Sequence, residues 1–462
     1  MVEKGQKNKM QKLIPLACAV LLFTSGCGSR GETQEAEDIE IFYHADDGEF
    51  DLEYGYGTSW ETPLEEVKEG KVVVTLVALD MTGGAGLSPL TLLVNQFNRE
   101  NEKYWIELET CGAGAELETM WDRLSVEIGA GDGPDIMTNG VFPVTQEIMD
   151  SGILVNLAPY LEQSGVTPQT YFPAYASAVS GDRIYGISYC FSVDGYALDP
   201  AVLGDREPPE DVEALADLLL EYPGHGSFIG PTLRGQYILE HLLEGSEDLW
   251  GMVDWEENTC DFTGPLFSKL LEVARRYRED GKKGYDPVVQ DYYVGTPWPP
   301  LESIQQTCPG SVPIGFYFDD GIHYQIAKNG DMLMINANTE HLEGAYAFLS
   351  YTLCQKGQNL VGGEPVNKEF WESSYQYQRE LSEMRQVLPD PQYPMPLLDD
   401  ETRRVTVEIL EDAQYMSVRA SAILNIIYEE ADGYLEGEGD VKLEDVIDKI
   451  QNRAQLYLDE RK

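Results

Sequence analysis

The sequence predicts an α/β chain of two or more lobes, built from mainly parallel sheets flanked by helices. Three observations predict it. The chain has 462 residues, more than a single apolar core organises. From Lys71 a β-branched run, an amphipathic run and a second apolar run follow one another, the order of a β-α-β unit. Later runs such as "PLFSKLLEVARRYRED", 265–280, carry apolar residues at helical spacing and supply an outer layer. A hydrophobic fraction of 42% is enough for buried cores, so the chain is not disordered. The 81 acidic and 32 basic side chains give a formal net charge of -49, which repels a phosphate backbone. No basic stripe interleaved with aromatics offsets it, so nucleic acid is excluded as a partner.

The first residues read as an export signal. Lys4, Lys7, Lys9 and Lys12 precede "LIPLACAVLLFT", which has the length of a secretory apolar region and is too short to span a bilayer. Ser25 and Gly26 then precede Cys27, and "LLFTSGC" resembles a bacterial lipobox, with Thr24 where leucine is usual. Residues 1–26 are expected to be a lipoprotein signal peptide and Cys27 to carry the lipid. Residues 27–70 are acidic with scattered aromatics, and their first part lacks the period of an element. They are expected to form a tether, reaching roughly 35 Å as a flexible chain. "HADDGEFDLE" lacks the alternating ligands and the later Glu of a calcium loop, so it reads as solvated acid. Beyond Cys18 and Cys27, the cysteines Cys111, Cys190, Cys260, Cys308 and Cys354 are far apart and form no CxxC. That spacing signals neither a zinc site nor a redox dithiol, and free buried thiols are expected.

The core begins at "KVVVTLVAL", a continuous β-branched run suited to a buried parallel strand. After the loop "DMTGGAGLSP", Ser88 can cap a helix whose first turn accepts Pro89. Leu90, Leu93, Val94 and Phe97 then mark the helix's apolar face, and "YWIELET" is the next strand. A glycine-rich loop after a first strand imitates a dinucleotide site. With Gly84 and Gly86 as the first two glycines of GxGxxG, however, Pro89 stands in place of the third. What survives is positional: a loop at the carboxyl end of a parallel strand faces the ligand crevice. "VEIGAGDGPDIM", 126–137, is a second glycine-rich stretch. Leu117, Met120, Leu124 and Ile128 put an amphipathic helix before it, and "DIM" starts a strand after it. A phosphate loop runs the other way, from strand to helix. Here Gly129 or Gly131 ends the helix in a left-handed cap and Pro134 blocks its continuation.

These residues also carry a resemblance. "LSVEIGAGDGPDIM" followed by "MDSGILVNLAPYLEQSG" resembles the extracellular solute-binding proteins of ABC importers, of the sugar-binding, maltose-binding-protein type. "DRIYGISYCFSVDGYALDP" is similar to their first segment between lobes, with Ser188 in place of the usual proline. "ANTEHLEGAYAFLSYTLCQKGQNLV", "GGEPVNKEFWE" and the C-terminal helices from "IIYEEADGYLEG" onward follow in the same order. The resemblance covers about Lys71 to Glu460. It implies the two-lobe periplasmic-binding-protein-like fold with the ligand cleft between the lobes. Lobe one is placed at 71–190 and 322–364, lobe two at 191–321 and 365–462.

Within that frame, candidate ligand residues follow from position. Asp80 ends the first strand, and Asn139 follows the strand at "PDIM", both at carboxyl ends. Tyr189 lies in the first crossing segment. Trp298 sits in the aromatic, proline-rich "QDYYVGTPWPP", suited to stacking on a sugar ring. In "GFYFDDG", Tyr317 points opposite to Phe316 and Phe318 if the run is extended, and Asp319 follows it. The expectation is a monomeric receptor, lipid-anchored on the outer face of the membrane. It would take a small-molecule ligand, an oligosaccharide, to ABC permease subunits, with no cofactor, metal or catalytic residue. Two alternatives stand beside it: a secreted glycan hydrolase, and a receptor for a peptide or polyamine. No HExxH, GxSxG or Walker sequence supports an enzyme. With 81 acidic residues, a pair of carboxylates is no signal by itself.

Overall fold

The computed structural model describes residues 39–44, 51–56, 68–80, 88–222, 227–229, 235–277, 287–294, 312–326, 332–360, 364–387, 398–416, 418–437 and 441–461. The chain divides into two units, Met1–Glu69 and Gly70–Lys462. In the first, strands Ile39–His44 and Asp51–Tyr56 form an antiparallel hairpin. The stretch expected to be a tether thus holds a pair of strands. Ile39, Ile41 and Tyr43 recur at every second position and pair in register with Tyr56, Tyr54 and Leu52, which is a strand period. Residues 1–26, expected to be a signal peptide, and Cys27 lie outside the described residues.

The second unit holds both lobes. Lobe one is a six-stranded sheet in the order Tyr104–Cys111, Val72–Leu79, Ile136–Thr138, Met332–Ile335, Arg183–Ser188, Ala176–Ser180. The first three strands are parallel, as the β-α-β pattern requires. The helix between the first two in sequence, Pro89–Glu100, starts as read: the Ser88 Oγ accepts from the Thr91 amide at 3.1 Å. Leu90, Leu93, Val94 and Phe97 are all buried. Val74, Leu76 and Ala78 enter the cluster under that helix, and Val77 enters the cluster on the opposite face with Met120, Leu124 and Ile128. This two-sided burial explains the unbroken apolar run of the strand.

The helix Ala115–Gly129 ends in the glycine turn. Gly131 takes φ +81° while Gly129 stays helical. The Asp132 amide donates to Glu127 O and the Gly131 amide to Ile128 O, both at 3.0 Å, which is the Schellman pattern. Asp135 then ties the turn to the sheet. Its carboxylate accepts from the Thr75 amide at 2.7 Å and the Thr75 hydroxyl at 2.9 Å, and also from Thr339.

Lobe two carries a second sheet in the order Ser227–Ile229, Pro287–Val294, Val193–Leu198, Val312–Ile314, with Gln325–Ile326 also on Val193–Leu198. Helices Val212–Glu221, Gly235–Leu243, Pro265–Tyr277, Ser421–Leu435 and Leu443–Asp459 bury one continuous apolar cluster against it. Both sheets are mixed. Parallel pairing holds at one end of each, and the strands that arrive from the other lobe enter antiparallel.

Three segments cross between the lobes. Strand Arg183–Ser188 of the first sheet runs on to Val193–Leu198 of the second. The chain returns between Gln325–Ile326 and Met332–Ile335. The third crossing lies later than the sequence suggested. Val366, Trp371, Tyr375, Leu398, Ile409, Leu410 and Ala413, from a stretch expected in lobe two, pack in the cluster of the first sheet. The chain leaves that lobe at residues 414–420, where the Gln414 amide donates to Tyr324 O at 2.8 Å and the Ile326 amide donates to Gln414 O at 2.7 Å. By Ala420 it has entered the lobe-two cluster. Among the described residues, no helix is long and apolar enough to cross a membrane.

Candidate ligand-binding cleft

A cleft of about 700 Å³ opens between the lobes, with the third crossing in its lining. That volume lies in the range of small-molecule sites. Lobe one presents Asn139, Gln146, Ser177 and Ser188, and lobe two presents Glu247, Phe318, Asp319 and Asp320. The segment between supplies Tyr415, Met416, Val418 and Arg419.

Each wall is held by its backbone. Asn139 follows the short strand Ile136–Thr138, and its Oδ1 accepts from the Met332 amide at 2.9 Å. The carboxamide oxygen is therefore engaged by the returning strand, which leaves the N–H donors for the cleft. Gln146 donates to both Asp150 carboxylate oxygens at 3.1 Å and to Ser180 Oγ at 3.0 Å. On the opposite wall, Asp319 Oδ2 accepts from the Glu247 amide at 2.9 Å. Glu247 in turn lies 3.7 Å from the Arg419 guanidinium, which sits over the Trp255 ring at 5.3 Å.

Tyr415 anchors the crossing. Its hydroxyl donates to Ala174 O at 2.7 Å and lies 3.1 Å from Ser188 Oγ. Burial pushes this phenol far above its ordinary pKa, only partly offset by Ser188 and Ser177, so it stays neutral. The donor that fixes the crossing to lobe one thus does not titrate in the physiological range.

The sequence-predicted residues divide. Asn139 and Asp319 line the cleft. Asp80 ends its strand with its amide on Cys111 O at 2.8 Å; it is half-buried and is not among the lining residues. Tyr189 is corrected: it is 1% exposed, inside the lobe-one cluster, and its neighbours Ser188 and Cys190 face the cleft instead. Tyr317 is corrected likewise. It packs in the lobe-two cluster together with Phe316 and Phe318, and its hydroxyl donates to Pro209 O at 3.2 Å. Burial, with Asp211 nearby, pushes this phenol far up as well. Trp298 lies outside the described residues. The residues that sequence reasoning missed are chiefly those of 414–421. Their signal was the break between two amphipathic helices, which reads as an ordinary connection.

Comparison with solved structures decides the architecture. The sugar-binding protein MalE of Xanthomonas citri superposes with a TM-score of 0.53 at 14% identity, over 84% of this chain and 98% of that one. The chain has the solute-binding-protein fold. Two further structures share the solute-binding-protein fold with it at a TM-score of 0.50. The cyclic alpha-maltosyl-1,6-maltose binding protein of Arthrobacter globiformis matches at 16% identity over 85% and 100% of the two chains. An ABC transporter solute binding protein of Thermotoga lettingae, bound with alpha-D-tagatose, matches at 14% identity over 84% and 99%. No family model matches the sequence, and no curated protein matches it.

A solute-binding-protein fold with this lining has clear chemical capacities. Carboxylates on one wall accept from hydroxyls, and amide and hydroxyl groups on the other donate and accept. Phe318, Val144, Met416 and Val418 provide apolar surface between them.

Proposed function

We propose that the chain is an extracellular receptor that delivers a carbohydrate to an ABC importer, anchored to the membrane through lipid on Cys27. The observation that carries this reading is the cleft itself. Polar side chains from both lobes and from the third crossing converge on one volume the size of a small oligosaccharide. Neighbours of the same fold are sugar-binding by their own descriptions, MalE, the cyclic maltosyl-maltose protein and the tagatose complex among them. The lipobox-like "TSGC" behind a short apolar run supports export and anchoring. In this reading Asn139 and Asp319 contact hydroxyls, and Trp298 stacks on a sugar face from lobe two. The protein works as a monomer with the permease as its partner, and performs no chemistry on the ligand.

Titration of intrinsic fluorescence against sugars, peptides and polyamines, with analysis of the recovered ligand, tests the reading. Saturable binding of a sugar returned unchanged is the expected result. Binding of polyamines or peptides alone, or the appearance of new reducing ends, overturns it. Anchoring has its own test: Cys27→Ser is expected to move the protein from the membrane fraction to the medium. Each buried methylene of an acyl chain contributes ~0.8 kcal/mol, and the variant loses all of them.

A further inference from the structure

A second contact joins the two lobes, away from the crossing segments. The short helix Gln146–Asp150 belongs to lobe one: Met149 is buried in its cluster, and Thr145 Oγ1 caps it by accepting from the Ile148 amide. The helix Leu443–Asp459 belongs to lobe two, with Val446, Ile450, Ala454 and Leu458 in that lobe's core. Glu147 on the first faces Tyr457 and Arg461 at the end of the second. The Tyr457 hydroxyl donates to Glu147 Oε1 at 2.9 Å, and the Arg461 guanidinium donates to the same oxygen.

The two donors are organised before they meet the carboxylate. Arg461 lies four residues after Tyr457, donates to its hydroxyl at 2.6 Å, and sits over its ring at 5.4 Å. Such a paired site loses less side-chain freedom on contact than two independent long side chains. Glu147 is also next to Gln146, which lines the cleft.

We propose that Glu147, Tyr457 and Arg461 form a latch across the cleft rim that sets how far the empty cleft stands open. The proposal rests on the reading of the cleft as a ligand site that opens and closes; the identity of the ligand does not enter it. Glu147 is held by lobe one and both donors by lobe two, so a rotation that parts the lobes at this rim breaks the contact. The latch therefore favours the approached state even with no ligand bound. A ligand that selects that state meets it already populated, and its apparent affinity rises by the same factor. Electrostatics agree with the geometry. Burial pushes the Glu147 carboxyl up, yet Arg461, its own backbone amide, Thr145 and Tyr457 outweigh that and hold it down to about 2. The group stays ionised throughout the neutral range, so salt rather than pH is the lever.

Small-angle scattering of the ligand-free protein tests this, on wild type, Glu147→Gln, Arg461→Gln and the charge-swapped pair Glu147→Arg with Arg461→Glu. At low salt each single variant is expected to show a larger radius of gyration than wild type, and the swapped pair to return toward it. High salt should expand wild type and leave the single variants unchanged. Ligand affinity of the single variants should fall about two- to five-fold, the factor an exposed ion pair supplies. Circular dichroism melting confirms that each variant is folded. Tyr457→Phe, which keeps the ring's packing, gives an intermediate radius and covers the case in which a charge variant does not fold. Folded single variants with the wild-type radius at low salt overturn the latch. The receptor reading fails separately: a chain that binds no sugar can still expand when Glu147 is replaced, and a chain that binds sugar can fail to expand.

Discussion

At the scale of single residues, side-chain parity decided which positions reached the cleft. Ser188 and Cys190 line it while Tyr189 between them is buried, so the crossing segment was located correctly and its faces were exchanged. A strand's period of two makes a one-residue misjudgement total. The run at Tyr317 shows a different cause. Phe316, Tyr317 and Phe318 are all buried, because the chain packs them between the helix Gly235–Leu243 and the lobe-two core. Gly245 makes that approach: a Cβ there would stand 1.7 Å from Tyr317 O. Gly245→Ala must push two backbones apart and is expected to destabilise by about 1–3 kcal/mol, read from chemical denaturation. Since Gly245 also lines the cleft, ligand affinity should fall with it. Tyr415→Phe makes a subtler probe. It leaves Ala174 O without its donor in a buried setting, at a cost of about 1–3 kcal/mol. Ser188 loses a neighbour at the same time, so a fall in affinity without gross unfolding is expected from fluorescence titration.

At the scale of elements, the local patterns were legible and the long-range ones were not. The helix Ala115–Gly129, its glycine end and the strand after Pro134 all follow from spacing within about twenty residues. Gly131→Ala is expected to cost about 1 kcal/mol or more, because the position needs φ +81° and nothing else crowds it. Ligand affinity should stay the same, which a titration of the folded variant checks. The antiparallel insertion of Met332–Ile335 between Ile136–Thr138 and Arg183–Ser188 was not legible, since its register is set by a chain that returns from the other lobe. Helices Lys368–Val387 and Asp400–Asp412 pack on the lobe-one core although they follow the boundary expected at 364, and their placement too is set by long-range contacts. What joins them to each other is local: Arg403 Nε reaches both Glu372 carboxylate oxygens at 2.9 Å. The Arg403 guanidinium holds the Glu372 carboxyl below its ordinary range, against its burial. A lowered folded-state pKa contributes stability above the unfolded value and loses it as pH falls through the folded one. The melting difference between wild type and Glu372→Gln is therefore expected to be present at pH 7 and to vanish in acid, below the ordinary carboxylate range. Both side chains are more than a third exposed, so its size should stay under about 1 kcal/mol.

At the scale of the whole molecule, three crossings and a polar cleft make hinge motion the natural way to admit a ligand. Most of the apolar core of each lobe lies in its own clusters, and the residues shared across the boundary, Val193, Ala197 and Ile326, belong to the strands that continue the crossings, so a rotation of the lobes is concentrated there. The contacts that must adjust lie in the crossings, where Gln414 bonds to Tyr324 and Ile326, and at the rim. A ligand shifts the open and closed populations only by binding one of them better. The cleft provides that difference, because Asn139 and Ser188 stand on one wall and Asp319 and Glu247 on the other. In the proposed function, a ligand that engages both sets favours the state in which the walls approach. Addition of the correct ligand is therefore expected to lower the radius of gyration measured by small-angle scattering. The decrease should persist in the Glu147→Gln variant, starting from a larger empty value, because ligand contacts and rim contacts favour the same approached state independently. An unchanged radius at saturating ligand, in a protein whose fluorescence reports binding, would mean that the walls already stand at their bound separation. The crossings would then act as a fixed frame rather than a hinge.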